Sequence, residues 1–188
     1  MDDPYAVGRR VFLKVGATAV AASAAGCGAA PGRWRVLTEA EAVTLAALCD
    51  RIIPPDQDPG ASEAGVVTFI DRQLAAHQEE RRELYQLGLR ALDATARRRH
   101  GQSFADLGSD ARVTLLRDVE KGAVEAADWV GVEPAEFFGV VVDHTMMGFY
   151  GDPRHGGNRG RVSWKMLGLP DPPVRGRLHE KPARGAGS

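Results

Sequence analysis

Apolar residues recur at helical spacing through most of the chain, and no stretch shows the alternation of a half-buried strand. Thr38-Glu39-Ala40-Glu41 has the form of a capping box, in which Thr38 accepts from the Glu41 amide while Glu41 reaches back. The stripe Leu45, Leu48, Cys49 and Ile52 follows it, and Pro54-Pro55 ends the helix because proline lacks the donor and clashes with the preceding turn. Residues 54–61 are loop by composition. Ser62-Glu63 then opens a second predicted helix, with Val66, Ile70, Leu74 and His77 on one side and Phe69 beside them. A third runs from about Glu80 to Arg99 on the stripe Leu84, Leu87, Ala91 and Thr95, with Leu92 adjacent. Its end, Arg97-Arg98-Arg99-His100-Gly101, places cations at the negative helix pole and glycine at the C′ position. That basic run reads as a solvated helix end rather than a polyanion site.

Ser103 to Leu107 predicts one helical turn. Ser109-Asp110 predicts the cap of a fourth helix with Val113, Leu116 and Val119 facing inward, and Ala123 to Gly131 a further turn around Trp129. Pro134 suits the first position of a fifth helix, which carries Phe137-Phe138-Gly139-Val140-Val141-Val142 and ends between Gly148 and Gly151. Being apolar on most sides, it is expected to be the central, most buried helix. The fold class predicted is all-α, a small bundle of about five helices with a long irregular Gly/Arg-rich C-terminal arm.

The first residues read as an address. Arg9-Arg10-Val11-Phe12-Leu13-Lys14 resembles the twin-arginine export motif, and the weakly apolar run from Val15 to Ala25 is about half the length needed to span a bilayer. Arg9, Arg10, Phe12, Leu13 and Lys14 are thus the expected export signal. Ala24-Ala25-Gly26-Cys27 resembles a lipobox, which makes Cys27 the expected lipidation site; cleavage after a small residue near Ala29 or Ala30 is the alternative. Acyl chains would hold the protein at a membrane surface without a spanning helix. The expected organisation is a signal peptide over 1–26, a tether over 27–36, a helical domain over 37–170 and a disordered tail over 171–188. The expected location is the periplasmic side of the cell envelope, in association with a membrane.

Composition narrows the chemistry. The 188 residues carry a formal net charge of −1, without the basic surplus that a nucleic-acid partner requires. The two cysteines, Cys27 and Cys49, are too few for a disulfide-stapled domain, and no CxxCH, HExxH, GxSxG or GxGxxG motif occurs. Of the five histidines, His144 on the apolar fifth helix reads as a hydrogen-bonded core residue, and His155 as a contact residue. Met146-Met147 reads as packing rather than metal ligation. No catalytic, cofactor-binding or metal residue is assigned to this chain.

The least ordinary stretch is residues 144–170, dense in Gly, Arg and aromatic residues where a bundle should have run out of core. Asp152-Pro153 and Gly156-Gly157-Asn158 mark successive turns, and Arg, Tyr and Trp are the types enriched at protein interfaces. The sequence Gly148-Phe-Tyr-Gly-Asp-Pro-Arg-His-Gly-Gly-Asn-Arg-Gly-Arg-Val-Ser-Trp-Lys-Met-Leu-Gly-Leu-Pro170 resembles the signature of the gluconate 2-dehydrogenase subunit 3 family. The opening from Leu37 to Asp56 resembles that family's first helix and Pro-Pro loop.

This resemblance implies a small subunit without a cofactor. Its partners would be a large FAD-dependent subunit of the glucose–methanol–choline type, which oxidises a sugar or sugar acid, and a multihaem cytochrome c. The small subunit would assist folding and supply the export signal, with the membrane reached through its own lipid or through the partner. The residues expected to contact the partner are Phe149, Tyr150, Asp152, Pro153, Arg154, Gly156, Gly157, Asn158, Arg159, Trp164 and Lys165. The competing expectation is a free-standing periplasmic lipoprotein whose Arg/Gly loop takes a small anionic ligand.

Overall fold

A computed structural model describes residues 33–169. The expected export signal (Arg9, Arg10, Phe12, Leu13, Lys14), the lipobox cysteine Cys27 and the tail from 171 onward lie outside the described residues. Six α-helices and no strand occur among the described residues: α1 (Glu39–Ile52), α2 (Val66–Ala76), α3 (Arg82–His100), α4 (Ser109–Glu120), α5 (Pro134–Tyr150) and α6 (Val162–Met166). The predicted all-α class is what the chain adopts. None of these helices is long and apolar enough to cross a membrane.

Local chemistry sets most boundaries. The capping box forms at α1, with Glu41 N donating to Thr38 Oγ1 at 3.2 Å and Thr38 N to Glu41 Oε2 at 2.8 Å. Gly101 ends α3 in the left-handed region at φ 72°, where a Cβ would be strained. Pro134 opens α5. Two helix starts differ from expectation. Residues 61–65 form a turn that closes on Gly65 at φ 84°, so α2 begins at Val66 rather than Ser62. Ser109 does not cap α4; its Oγ instead accepts from Arg51 Nη1 at 2.7 Å, and Gly108 holds the N-cap position.

The core is built around α5, which packs against α1, α2, α3, α4 and α6. Leu45 and Leu48 of α1, Ile70 and Leu74 of α2, and Leu92 of α3 meet Phe137, Val141 and Phe149 in one apolar cluster. Each such side chain contributes about 1.5–3 kcal/mol by leaving water. The expected stripe of α3 is buried in its second half, at Ala91, Leu92 and Thr95, whereas in its first half Tyr85, Gly88 and Leu89 point inward and Leu84 and Leu87 sit on the shoulder. Gly88 belongs to that inner face because any Cβ there would overlap the Phe137 ring. The two helices approach backbone to ring at this point.

The last helix turn of α3 is not simply solvated. Arg98 forks onto Asp128 (Nε to Oδ2 2.8 Å, Nη2 to Oδ1 2.6 Å), and Arg99 reaches Glu125, Asp118 and the Ala123 carbonyl. Arg98 holds the Asp128 carboxyl below its ordinary range, and Arg99 does the same for Glu125. These arginines staple the irregular 121–131 segment to α3. Inside that segment Trp129 is buried, and its Nε1 donates to Thr95 Oγ1 at 3.0 Å.

Candidate partner-binding surface

The stretch singled out by composition, after Tyr150, is ordered and folds back onto the bundle. It forms 3-10 turns at Pro153–His155 and Arg159–Arg161 and then α6. Its glycines permit close approach. A Cβ on Gly157 would collide with the Gly148 carbonyl of α5, and one on Gly148 would lie 2.8 Å from Phe69 Cδ1. A Cβ on Gly65 would lie 2.8 Å from the Gly156 carbonyl oxygen. At Gly156 and Gly157 the loop therefore docks by main chain.

Asn158 holds the turn. It is buried and left-handed at φ 44°, a region that Asn tolerates better than most residues. Its Nδ2 donates to the Gly151 carbonyl at 2.9 Å and its Oδ1 accepts from Ser163 N at 3.1 Å. Arg159 N donates to the Ala64 carbonyl at 2.8 Å, tying the loop to the turn before α2. Trp164 is 8% exposed, and its Nε1 donates to the Tyr150 carbonyl at 3.1 Å. Asp152 Oδ1 accepts from Arg154 N at 3.1 Å and caps the first 3-10 turn.

The expected contact residues thus divide in two. Phe149, Gly157, Asn158 and Trp164 are buried within the chain itself, and Asp152, Pro153 and Gly156 are half-buried. Tyr150, Arg154, Arg159 and Lys165 are exposed, and Arg161 stands exposed beside them. The outward rim of the loop is basic. Arg159 also borders a cleft of about 160 Å³ with Arg33, Trp34 and Glu39, where the Arg33 guanidinium lies 4.8 Å from the centre of the Trp34 ring.

Two buried polar groups escaped the sequence reading. Asp71 of α2 is 3% exposed and accepts from three successive backbone N–H groups: Arg35 (2.8 Å), Val36 (2.9 Å) and Leu37 (3.1 Å). It fastens the chain that leads into α1. Asp in a helix otherwise rich in apolar residues was the available signal. The second is Tyr85, whose hydroxyl lies 2.8 Å from Nδ1 of His144, with the rings stacked at 5.7 Å. The hydroxyl and Nδ1 share one hydrogen bond whose direction follows the tautomer of the ring. Burial pushes the Tyr85 phenol well above its ordinary value and lowers His144, helped there by the Arg81 charge. Nearby, Cys49 is fully buried, receives Thr145 Oγ1 at 3.3 Å, and has its thiol pushed up to about 12 by desolvation. A thiol held protonated in this way is a core group, not a nucleophile. His144 is the hydrogen-bonded core histidine that its sequence position predicts. Among the described residues no group of three or more His, Cys, Asp or Glu side chains is placed to hold a metal ion.

The domain is therefore an all-α bundle whose most distinctive segment is pinned to its longest apolar helix and shows a basic, aromatic rim to solvent. A family model described as gluconate 2-dehydrogenase subunit 3 matches residues 39–170, and the chain belongs to that family. The family takes its name from a subunit of a dehydrogenase complex. No curated protein and no solved structure matches the chain.

Proposed function

We propose that the chain is a non-catalytic small subunit of a gluconate 2-dehydrogenase-like flavoprotein complex. It assists folding of an FAD-containing large subunit of the glucose–methanol–choline type and carries that subunit through the twin-arginine route. The complex acts on CH–OH donors. FAD and any haem c reside in the partner subunits, and this chain holds neither. The pair sits at the periplasmic face of the envelope, held to the membrane by a lipid on Cys27 or by the partner.

The observation that carries this reading is the family match, which runs across the folded domain from the first turn of α1 to the end of the Gly/Arg segment. The architecture supports it. Residues that are buried within the segment fix its shape, and Tyr150, Arg154, Arg159 and Lys165 on its outward side are free to meet another protein. Arg and Tyr supply forked donors and rigid apolar area, which is what interface anchors need.

Export tests the carrier role. Replacing Arg9→Lys and Arg10→Lys together is expected to leave both this chain and the flavin subunit in the cytoplasm. A flavin subunit that still reaches the periplasm in that strain overturns the carrier role.

A further inference from the structure

Helix α5 is apolar on nearly every side, a pattern that belongs to a helix covered all round. The described residues cover only part of it. Phe137, Val141, His144, Thr145 and Phe149 face the core, while Met146 is 42%, Met147 50% and Tyr150 39% exposed. The expectation that α5 is buried on most sides holds for its inner face alone.

Gly139 sharpens the point. It is exposed in the middle of α5, and a Cβ there would meet nothing within 4 Å. Gly88 and Gly148, in contrast, are glycine because Phe137 and Phe69 occupy the space of a Cβ. A mid-helix glycine weakens the helix relative to alanine, and nothing among the described residues repays that at Gly139. A bare backbone does permit another chain to come close. One turn on, Asp143 is exposed and makes no hydrogen bond or ion pair among the described residues. Hollows flank the strip: one of about 230 Å³ beside Phe138 and Val142, and one of about 530 Å³ beside Met147 and Tyr150.

We propose that the outward face of α5, formed by Gly139, Val142, Asp143, Met146, Met147 and Tyr150, docks the catalytic subunit of the dehydrogenase complex. The partner surface presents a Lys or Arg to Asp143 and apolar side chains to the two hollows. The inference rests on the subunit reading above and adds the surface. Charge selects the occupant. Covering an exposed carboxylate costs free energy unless a cation meets it. A second copy packed about a two-fold axis at the middle of the strip would bring two Asp143 carboxylates together. An anionic lipid surface would meet Asp143 and Glu136 with like charge.

The test uses the tagged chain purified from the envelope of cells that also express the catalytic subunit, with recovered dye-linked dehydrogenase activity as the readout. Gly139→Arg and Asp143→Lys are each expected to lower recovered activity at least tenfold, while Lys121→Ala at the end of α4 leaves it unchanged. Thermal melting of the isolated variants should not fall, because both changes are at exposed helix positions and arginine is the better helix former at Gly139. Equal recovery from wild type and both variants overturns the surface and leaves the subunit reading standing. Wild-type chain that recovers no dehydrogenase activity overturns both. Either alternative occupant of the strip overturns the surface alone: a dimer by light scattering that Gly139→Arg splits, or flotation with anionic phosphatidylglycerol vesicles that Gly139→Arg abolishes.

Discussion

Gly157 lies directly against Gly148, so close that a single methyl group on Gly157 would strike the Gly148 carbonyl. This contact explains why Gly157 is glycine: it lies flat on α5. Gly157→Ala forces either the loop or the end of α5 to move, and overpacking of this kind costs about 1–3 kcal/mol. Urea denaturation should show that loss for Gly157→Ala. Gly160→Ala offers a contrast at a site with no atom within 4 Å of a Cβ; its cost comes only from φ 67°.

Asp71 is the counterpart of this clamp at the other end of the domain. Asp71→Ala leaves three main-chain donors of residues 35–37 without their acceptor. Bonds to a charged acceptor contribute about 1.5–3 kcal/mol each before water replaces them, so a net loss of about 3 kcal/mol is expected. Limited proteolysis should cut the variant near Arg33 or Arg35 well before the wild type. Asp71→Asn keeps one oxygen acceptor and should fall between the two.

The arginines that close α3 are structural staples. Arg99→Ala removes contacts to Glu125, Asp118 and the Ala123 carbonyl, and should lower stability by about 1 kcal/mol, the upper range for partly exposed pairs. Arg97→Ala breaks one exposed pair with Asp93 and should change little. Chemical denaturation of the two variants separates them, and heparin chromatography of the wild type should show no retention at physiological salt.

Stability should also depend on pH in two windows. His144 titrates lower in the folded chain than its ordinary value of 6.5. The unfolded chain therefore binds a proton first as pH falls, and stability present above 6.5 is lost below it. Asp128 and Glu125 are held below their ordinary values of 3.8 and 4.5, so their contribution is lost only under more acidic conditions. Melting temperatures between pH 7.5 and 5.5 should fall in the wild type and stay flatter in His144→Gln.

What the sequence made legible follows from how local each signal is. The capping box at Thr38, the stop at Gly101 and the start at Pro134 depend on residues within one turn, and all three formed as expected. The fastening of Arg98 to Asp128 and of Asp71 to residues 35–37 spans some thirty residues or more, and composition cannot pair such partners. The stripe of α3 holds at Ala91, Leu92 and Thr95 and misses only in the first half, where Gly88, which looks like a weak helix residue, is the point at which Phe137 enters. The 144–170 segment is marked by its residue types, yet those types do not tell that Asn158 and Trp164 turn inward while Arg159 and Lys165 turn outward.

The account stands on this chain working as one subunit of a flavin dehydrogenase. Size-exclusion chromatography of the tagged chain, extracted from envelopes with mild detergent, measures that directly through absorbance at the flavin band and dye-linked oxidation of sugar acids. The chain should elute with the flavin band and the activity in one peak at fixed stoichiometry. Elution at the mass of the solitary chain, with flavin and activity in other fractions, would contradict the account.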